Sequence, residues 1–312
     1  MFLVRVGAGI GHAVSLPALV AVGLLVGYVA GMFGVGGGFL LTPMLMYVFG
    51  VPPPVAVGSA VCQQCGTSIA SFIKYRHLKR GEPRIDLVMI GGSLIGVDAG
   101  TRLLGYLSRR APLMLPSGRA VPAITVVLDL LFLVLLSFTA VFTFREAWKA
   151  RRNPIPRGDV TIPGPLVTRV RVPPCIDLPH VGLSQVSVPL LSYLGFLLGM
   201  ASGLMGIGGG VLFMPILLYG FGLSARNAAG TGILLLFATV AVGTVEQALR
   251  GYVSLKLAMA ILIGSSIGSQ LGALTTHYLP NRVLRLAFSC LVGATVVMIA
   301  WNLIGLLRGH GQ

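Results

Sequence analysis

The sequence predicts an all-α membrane protein that crosses the bilayer several times and consists of two tandem repeats. Three observations predict this fold class. First, 55% of the 312 residues are hydrophobic and only 10% are charged, whereas a soluble domain has about 25% charged residues. Second, apolar runs recur along the chain, and roughly 20 apolar residues suffice to cross a bilayer. Third, a glycine-rich stretch occurs twice, at residues 34–43 and 206–215.

The two glycine-rich stretches interrupt apolar runs. Residues 34–43 read GVGGGFLLTP and residues 206–215 read GIGGGVLFMP, so every glycine and the proline align without a gap. Glycine weakens a helix. At membrane depth, non-helical backbone is tolerated only inside protein or beside a water-filled cavity. We therefore predict that each stretch breaks a membrane helix, and that the two breaks face each other around a site.

The first half is predicted to begin with a broken helix and to continue with three spans. The run before the break is long enough to cross a bilayer, whereas the piece after it is too short to cross alone. Gly50 and the three prolines at 52–54 end that short piece. The predicted elements are Leu16–Val35, the short piece Phe39–Phe49, and the spans Val55–Tyr75, Ile85–Leu107 and Val121–Phe144.

The second half repeats this plan at a constant offset of 172 positions. Glycines at 92, 96 and 100 match glycines at 264, 268 and 272, and Gly58-Ser59 matches Gly230-Thr231. Glycines spaced by four lie on one helical face, where a second helix can approach closely. Because several separate motifs match at the same offset, we predict that the two halves arose by duplication. Repeated halves around a site at the middle of the membrane are typical of secondary transporters. The predicted elements are Val188–Ile207, the short piece Val211–Phe221, and the spans Asn227–Leu249, Leu255–His277 and Arg282–Leu307.

The predicted domains are a first membrane repeat at 1–144, a connector at 145–187 and a second membrane repeat at 188–312. The connector is basic and rich in proline, which is typical of a cytoplasmic loop. The net charge of +15 is concentrated in connections between apolar runs, so it favours a positive-inside membrane protein over a nucleic-acid-binding protein. We predict about four crossings per half, with both termini in the cytoplasm, which would make the halves parallel; five crossings per half would make them inverted. The predicted location is the inner membrane, with several crossings.

These residues resemble a known family. The paired stretches Gly34–Pro43 and Gly206–Pro215, the Gly58-Ser59 and Gly230-Thr231 pairs, and the two helices with glycines spaced by four are similar to the TauE/SafE family of sulfite-exporter-like membrane proteins. The resemblance covers nearly the whole chain apart from the connector. It implies a multi-span transporter of small organosulfur compounds or sulfur oxyanions.

The glycine breaks are the predicted substrate site. A helix N-terminus has free N–H groups and about half a positive charge, so it attracts anions. We expect the two broken helices to bind one small anion between them, and the alternative is that the glycines only permit close packing. Ser59 and Thr231 could add hydroxyl groups, or their hydroxyls could instead bond back to carbonyl oxygens of their own helices. At least one of the buried amides Gln63 and Gln64 should face the cavity. The predicted substrate-binding residues are Gly36, Gly37, Gly38, Ser59, Gln63, Gly208, Gly209, Gly210 and Thr231.

Asp98 is the predicted ion- or proton-coupling residue, because an ionisable group inside a span usually faces a pathway or a partner. Arg102 lies one turn further along the helix, so a structural Asp98–Arg102 pair is the alternative. Gln270 occupies the equivalent position in the second half and cannot titrate. Cys62 and Cys65 share a helical face and are candidates to line the path, or to act as a redox pair; buried inert cysteines are the commoner case.

Together these features predict a secondary transporter that moves a small anion, a sulfur oxyanion or an organosulfonate, by alternating access. An uncoupled anion channel and a membrane redox protein that uses Cys62 and Cys65 are the alternatives. No nucleotide-binding P-loop occurs in the sequence, and we expect no enzymatic activity, no cofactor and no bound metal. The expected partners are the substrate and the lipid bilayer, without nucleic acid, and the sequence leaves the oligomeric state open.

Overall fold

The computed structural model describes residues 3–5, 13–33, 36–77, 83–114, 120–152, 172–178, 183–223, 231–278 and 281–308. Gly34, Val35, Gly230 and most of the predicted connector lie outside these residues. In the described part the chain is mainly helical. The helices of the first half are α1 (Leu16–Phe33), α2 (Gly38–Tyr47), α3 (Pro53–His77), α4 (Pro83–Ser108) and α5 (Ala123–Arg152).

The second half has the same succession of long and short helices. Its first helix ends before the second glycine stretch, and a short helix that continues as a π turn follows. The elements are α6 (Val188–Met205), α7 (Gly210–Pro215) with the π turn Ile216–Gly220, α8 (Ile233–Leu249), α9 (Leu255–Tyr278) and α10 (Asn281–Arg308).

Three short antiparallel hairpins accompany the helices in the described residues. Two of them lie outside the predicted connector, and the third lies within it. They pair β1 (Leu3–Arg5) with β2 (Ala13–Ser15), β3 (Leu113–Met114) with β4 (Ala120–Val121), and β5 (Cys175–Leu178) with β6 (Leu183–Ser187).

Helix α5 extends further than the sequence analysis placed it. The predicted span ended at Phe144, but the helix continues to Arg152, so the first part of the predicted connector is helical. Residues 145–152 read REAWKARR, which contains no proline and consists mostly of good helix formers. The first proline that could stop the helix is Pro154.

By length and composition, six helices in the described residues can cross a membrane, so the chain is a multi-pass membrane protein with fewer qualifying helices than the eight predicted crossings. Helix α3 is long enough, with 25 residues, but its middle carries polar residues such as Gln63 and Gln64. Helix α8 has only 17 described residues. The six segments are Leu16–Phe33, Arg84–Ser108, Ala123–Arg145, Val188–Met205, Leu255–Gly272 and Leu286–Leu306.

The glycines spaced by four lie at close helix contacts, as their spacing predicted, and the structure shows that these contacts are between the two halves. Helix α1 packs along α9, and α6 packs along α4. On α4, a Cβ added to Gly96 would collide with the backbone carbonyl oxygen of Phe196 on α6, and on α9 a Cβ on Gly268 would collide with that of Leu24 on α1. The same relation holds in both directions along each pair, for Gly92, Gly100, Gly195, Gly199 and Gly203 in one pair and Gly23, Gly27, Gly31, Gly264 and Gly272 in the other.

The short helix α2 lies inside the molecule. Phe39, Leu41 and Leu45 are fully buried, and the Phe39 ring packs edge-on against Phe288 of α10 with ring centroids 6.2 Å apart. Helices α3 and α8 pack on each other, as do α5 and α10. A short helix too apolar for water and too short to cross a membrane is therefore enclosed by long helices, which places the first glycine break within the protein.

Candidate functional site

Both glycine stretches leave the helical conformation, as predicted. Helix α1 ends at Phe33, and Gly36 and Gly37 have φ angles of 84° and 72°. Helix α6 ends at Met205, and Gly208 and Gly209 have φ angles of 72° and 80°. Residues with a side chain rarely adopt this left-handed backbone conformation, whereas glycine adopts it without a steric cost. The glycines are therefore required by the backbone path itself.

The two breaks start their short helices in the same way. Gly37 precedes α2, and its carbonyl oxygen accepts hydrogen bonds from the N–H groups of Leu40 and Leu41, both at 3.1 Å. Gly209 precedes α7, and its carbonyl oxygen accepts from Leu212 and Phe213 at 3.1 and 3.0 Å. Neither helix has a side-chain cap. The first turn of each short helix thus lacks the side-chain acceptor that usually satisfies N-terminal N–H groups.

The breaks approach each other across two side chains, Gln64 of α3 and Leu236 of α8. A Cβ added to Gly36 would lie 3.2 Å from Gln64 Oε1 and 3.3 Å from a Leu236 methyl carbon. A Cβ added to Gly208 would collide with Gln64 Oε1 and lie 3.1 Å from a Leu236 methyl carbon. Glycines of both breaks therefore border the same small region, which has one polar and one apolar wall.

The Gln64 side chain connects the two breaks. It is fully buried, and its Nε2 donates to the carbonyl oxygens of Gly206, at 2.8 Å, and Ala60, at 3.1 Å. A Cβ on Gly38 would collide with the same Nε2 and with the carbonyl oxygen of Gly206. Side-chain atoms of Gln64 thus contact backbone from both glycine stretches.

A small cavity opens beside the second break. Its volume is about 10 Å³, roughly the space that one water molecule needs. A sulfonate is larger than this, so the cavity does not hold one in the described conformation. The residues that line the cavity are Leu198, Gly208, Gly209, Gly210, Phe213, Gly232, Leu235, Leu236 and Thr239.

The other predicted binding residues lie at different distances from the breaks. Gln63 is 2% exposed, and its Nε2 donates to Ser265 Oγ of α9 at 2.6 Å. The Ser59 hydroxyl accepts from the backbone N–H of Ser254 at 3.1 Å. Thr231 is 1% exposed and adjoins the cavity-lining Gly232. The structure therefore brings Gln64, and not Gln63, against the two breaks.

Asp98 and Arg102 form an ion pair, with Arg102 Nε 2.8 Å from Asp98 Oδ1. The Asp98 side chain is 40% exposed and that of Arg102 is 71% exposed. Gln270 is also exposed. The Glu246 carboxylate accepts a hydrogen bond from the Thr101 hydroxyl on the neighbouring turn. Asp98, Arg102, Thr101 and Glu246 thus form a polar cluster on α4 and α8.

Cys62 and Cys65 are free thiols that are partly exposed. Cys65 lies near Thr244 of α8, so the pair occurs at the contact between α3 and α8. Among the residues that the structure describes, no group of three or more His, Cys, Asp or Glu residues could hold a metal ion.

Two buried carboxylates escaped the sequence analysis as site residues. Asp86 of α4 is 2% exposed and accepts hydrogen bonds from the backbone N–H groups of Gly232 and Leu234, at the start of α8. Asp129 of α5 is fully buried and accepts a hydrogen bond from the Tyr47 hydroxyl at the end of α2. Asp129 lies inside the predicted span Val121–Phe144, but nothing in the sequence indicated its partner.

Comparison with known proteins identifies one family. The family model described as "Sulfite exporter TauE/SafE" matches residues 19–299 of the chain. This range includes both glycine breaks and all residues around Gln64. No solved structure matches the chain.

Relatives cover most of the chain at moderate identity. The "Probable membrane transporter protein YunE" of Bacillus subtilis is 26% identical over 83% of this chain and 88% of its own length. A "Probable membrane transporter protein" of Xylella fastidiosa is 26% identical over 92% of this chain and 96% of its own. The "Sulfite exporter TauE/SafE family protein 3" of Arabidopsis thaliana is 29% identical, over 42% of this chain and 26% of its own length.

Proposed function

The chain belongs to the sulfite exporter TauE/SafE family of membrane transporters, and from this premise we propose that it moves a small anion across the inner membrane by alternating access. The anion is a sulfur oxyanion or an organosulfonate, and it binds between the two glycine breaks. The chain consists of two tandem repeats, and each repeat contributes one broken helix to the site.

The observation that carries this proposal is the meeting of both breaks at Gln64. Gly36 and Gly208 border the same side chain, which supports the inference that uncapped N–H groups of the two short helices converge on this buried region. Helix α2 and the combined α7 and π turn each direct a positive dipole end toward it. Two such ends attract an anion without a buried lysine or arginine.

The small size of the cavity beside the second break supports alternating access. The cavity beside the second break is about 10 Å³, so an anion enters only when the short helices shift. Glycines at the breaks adopt altered φ and ψ angles more easily than other residues, which makes them suitable hinges. Movement of α2 and α7 against the closely packed α1–α9 and α4–α6 pairs opens the region to one side at a time.

The function is tested by flux into proteoliposomes that contain the purified protein. The panel is sulfite, thiosulfate, sulfate, taurine, isethionate and ethanesulfonate, each at equal inside and outside concentration with an imposed proton gradient. A secondary transporter accumulates at least one anion against its own gradient, whereas an uncoupled channel only equilibrates it. Absence of flux for the whole panel would contradict the proposal.

Asp98 is the proposed coupling residue, with Gln270 at the equivalent position and Arg102 as its ionic partner. We expect Asp98→Asn to reduce the stimulation of uptake by an inward proton gradient, because asparagine keeps the hydrogen bond to Arg102 but cannot titrate. The measurement is the initial uptake rate against external pH. Asp129→Asn is the matched comparison, since Asp129 is the fully buried carboxylate. Unchanged proton dependence in Asp98→Asn, together with its loss in Asp129→Asn, would make the Asp98–Arg102 pair structural.

The redox alternative rests on Cys62 and Cys65. We expect Cys62→Ser/Cys65→Ser to transport at nearly the wild-type rate, because the thiols are free and partly exposed and Cys65 lies beside Thr244 of α8. Serine is close to cysteine in size, so the α3–α8 contact should persist. Loss of flux in the double variant and also in each single variant would favour the redox function.

A further inference from the structure

We propose that the transported anion carries a hydrogen-bond donor, an O–H or N–H group, which binds Gln64 Oε1 while the Thr42 hydroxyl binds the charged oxygens. This inference rests on the proposed function, because it names the class of anion that the same site selects. It predicts that an anion with a hydroxyl or amino group is preferred over one of equal charge that has none.

The orientation of the Gln64 amide is fixed by its own neighbours. Its Nε2 faces two carbonyl oxygens, those of Gly206 and Ala60. Rotating the amide by half a turn would set Oε1 against both of these acceptors, and two acceptors repel each other. The Oε1 atom therefore stays directed at Gly36 and Gly208, in the region where the breaks meet.

Gln64 Oε1 has no hydrogen-bond partner among the described residues, although the side chain is fully buried. A buried amide oxygen without a partner is costly, and an unsatisfied polar group in a native core calls for an explanation such as a ligand. An amide oxygen can only accept hydrogen bonds. Whatever satisfies it must supply a donor, which a fully deprotonated anion does not have.

Thr42 is a second unsatisfied group, and it borders the second glycine stretch. The residue is fully buried, and its Oγ1 also lacks a partner within the described part of the chain. Oγ1 lies 2.9 Å from where a Cβ on Gly206 would be, so it borders the same glycine to which Gln64 donates. A hydroxyl can donate to an anionic oxygen. The site thus offers one donor and one acceptor, which is complementary to an anion with its own donor.

The second half supplies no matching polar pair. At the offset of 172, Gln64 corresponds to Leu236 and Thr42 to Met214, both apolar. Selection by hydrogen bonding therefore depends on the first half alone, because the matched positions of the second half carry apolar residues. Replacing either polar residue by an apolar one of similar size is consequently a feasible test.

Isethionate and ethanesulfonate form a matched pair of probes, since they share charge and sulfonate group and differ by one hydroxyl. We expect wild-type protein in proteoliposomes to take up isethionate at least about tenfold more efficiently, because ethanesulfonate leaves Gln64 Oε1 unpaired. Gln64→Met should abolish this preference. Thr42→Val should lower the uptake rate of both probes and keep the ratio between them. Thr42→Ser retains the hydroxyl group, so its uptake rates should stay close to those of the wild-type protein. Unchanged thermal unfolding of each variant is the control for folding.

The outcomes separate the inference from the proposed function. Equal uptake of the two probes by wild-type protein, or a preference for ethanesulfonate, would overturn the inference and leave an anion transporter. Uptake of sulfate but of neither probe would overturn it as well, because sulfate lacks a donor at neutral pH. Absence of flux for every anion in the panel would overturn the proposed function. If Gln64→Met fails to fold, the inference is still tested by the ratio of isethionate to ethanesulfonate uptake in the wild-type protein and by the two Thr42 variants.

Discussion

Gly209→Val is expected to lower the initial rate of anion uptake by about tenfold or more, while the protein remains folded. Gly209 has a φ angle of 80°, and a residue with a Cβ pays roughly 1–2 kcal/mol in that region, an energy that corresponds to about tenfold in an equilibrium. The nearest atom to an added Cβ is 3.7 Å away, on Leu198, so the substitution acts through the backbone of the break. Gly37→Val, with φ of 72°, should also lower uptake at the first break, although its added Cβ would in addition lie 2.8 Å from Val26 Cγ1.

Gly251→Val is the matched control for the Gly209 variant. Gly251 has a similar φ angle of 74°, and nothing lies within 4 Å of an added Cβ. It therefore carries the same backbone cost but lies outside both breaks. We expect it to transport normally, as measured by uptake per folded protein in proteoliposomes. Equal losses of uptake in Gly209→Val and Gly251→Val would contradict the placement of the anion site at the glycine breaks. Full uptake in both Gly37→Val and Gly209→Val would contradict it as well.

The second large effect is expected at the contact between the halves. Gly96→Ala should destabilise the folded protein by about 1–3 kcal/mol, the usual cost of overpacking a well-packed contact. The added Cβ would collide with the backbone carbonyl oxygen of Phe196 on α6, and backbone cannot rotate out of the way as a flexible side chain can. The measurement is the midpoint of thermal unfolding in detergent.

Gly91→Ala is the matched control on the same helix. Gly91 has nothing within 4 Å of an added Cβ, so alanine should stabilise the protein by about 0.5–1 kcal/mol through its better helix propensity. The two variants thus shift the unfolding midpoint in opposite directions. An unfolding midpoint for Gly96→Ala equal to or above that of Gly91→Ala would contradict the close approach of α4 and α6.

The helices could be predicted from sequence because apolar runs, glycines and prolines mark their ends directly. The start of α6 at Val188 and of α9 at Leu255 agree with the predicted spans. The end of α5 was missed, since the rise in charge at Arg145 was taken for a loop. Charge does not stop a helix; the stop signal is proline, which first occurs at Pro154.

The partners of each helix could not be predicted. The spacing of Gly92, Gly96 and Gly100 showed that a helix approaches there, but only the fold shows that it is α6 from the other half. For the same reason, the sequence could not show that Gln64, and not Gln63, lies against the glycine breaks. Adjacent residues on a helix point about 100° apart, so a small rotation of α3 decides which amide reaches the breaks.

The central claim, that both glycine breaks bind one anion between them, is tested most directly by locating an anion in the protein. Selenite is suitable, because it keeps one O–H at neutral pH and selenium scatters anomalously. In a crystal of the wild-type protein grown with selenite, we expect one anomalous peak bordered by Gly36, Gly208 and Gln64, and none in crystals of Gly208→Val. A selenium peak away from both breaks, or a peak that persists unchanged in Gly208→Val, would contradict the claim.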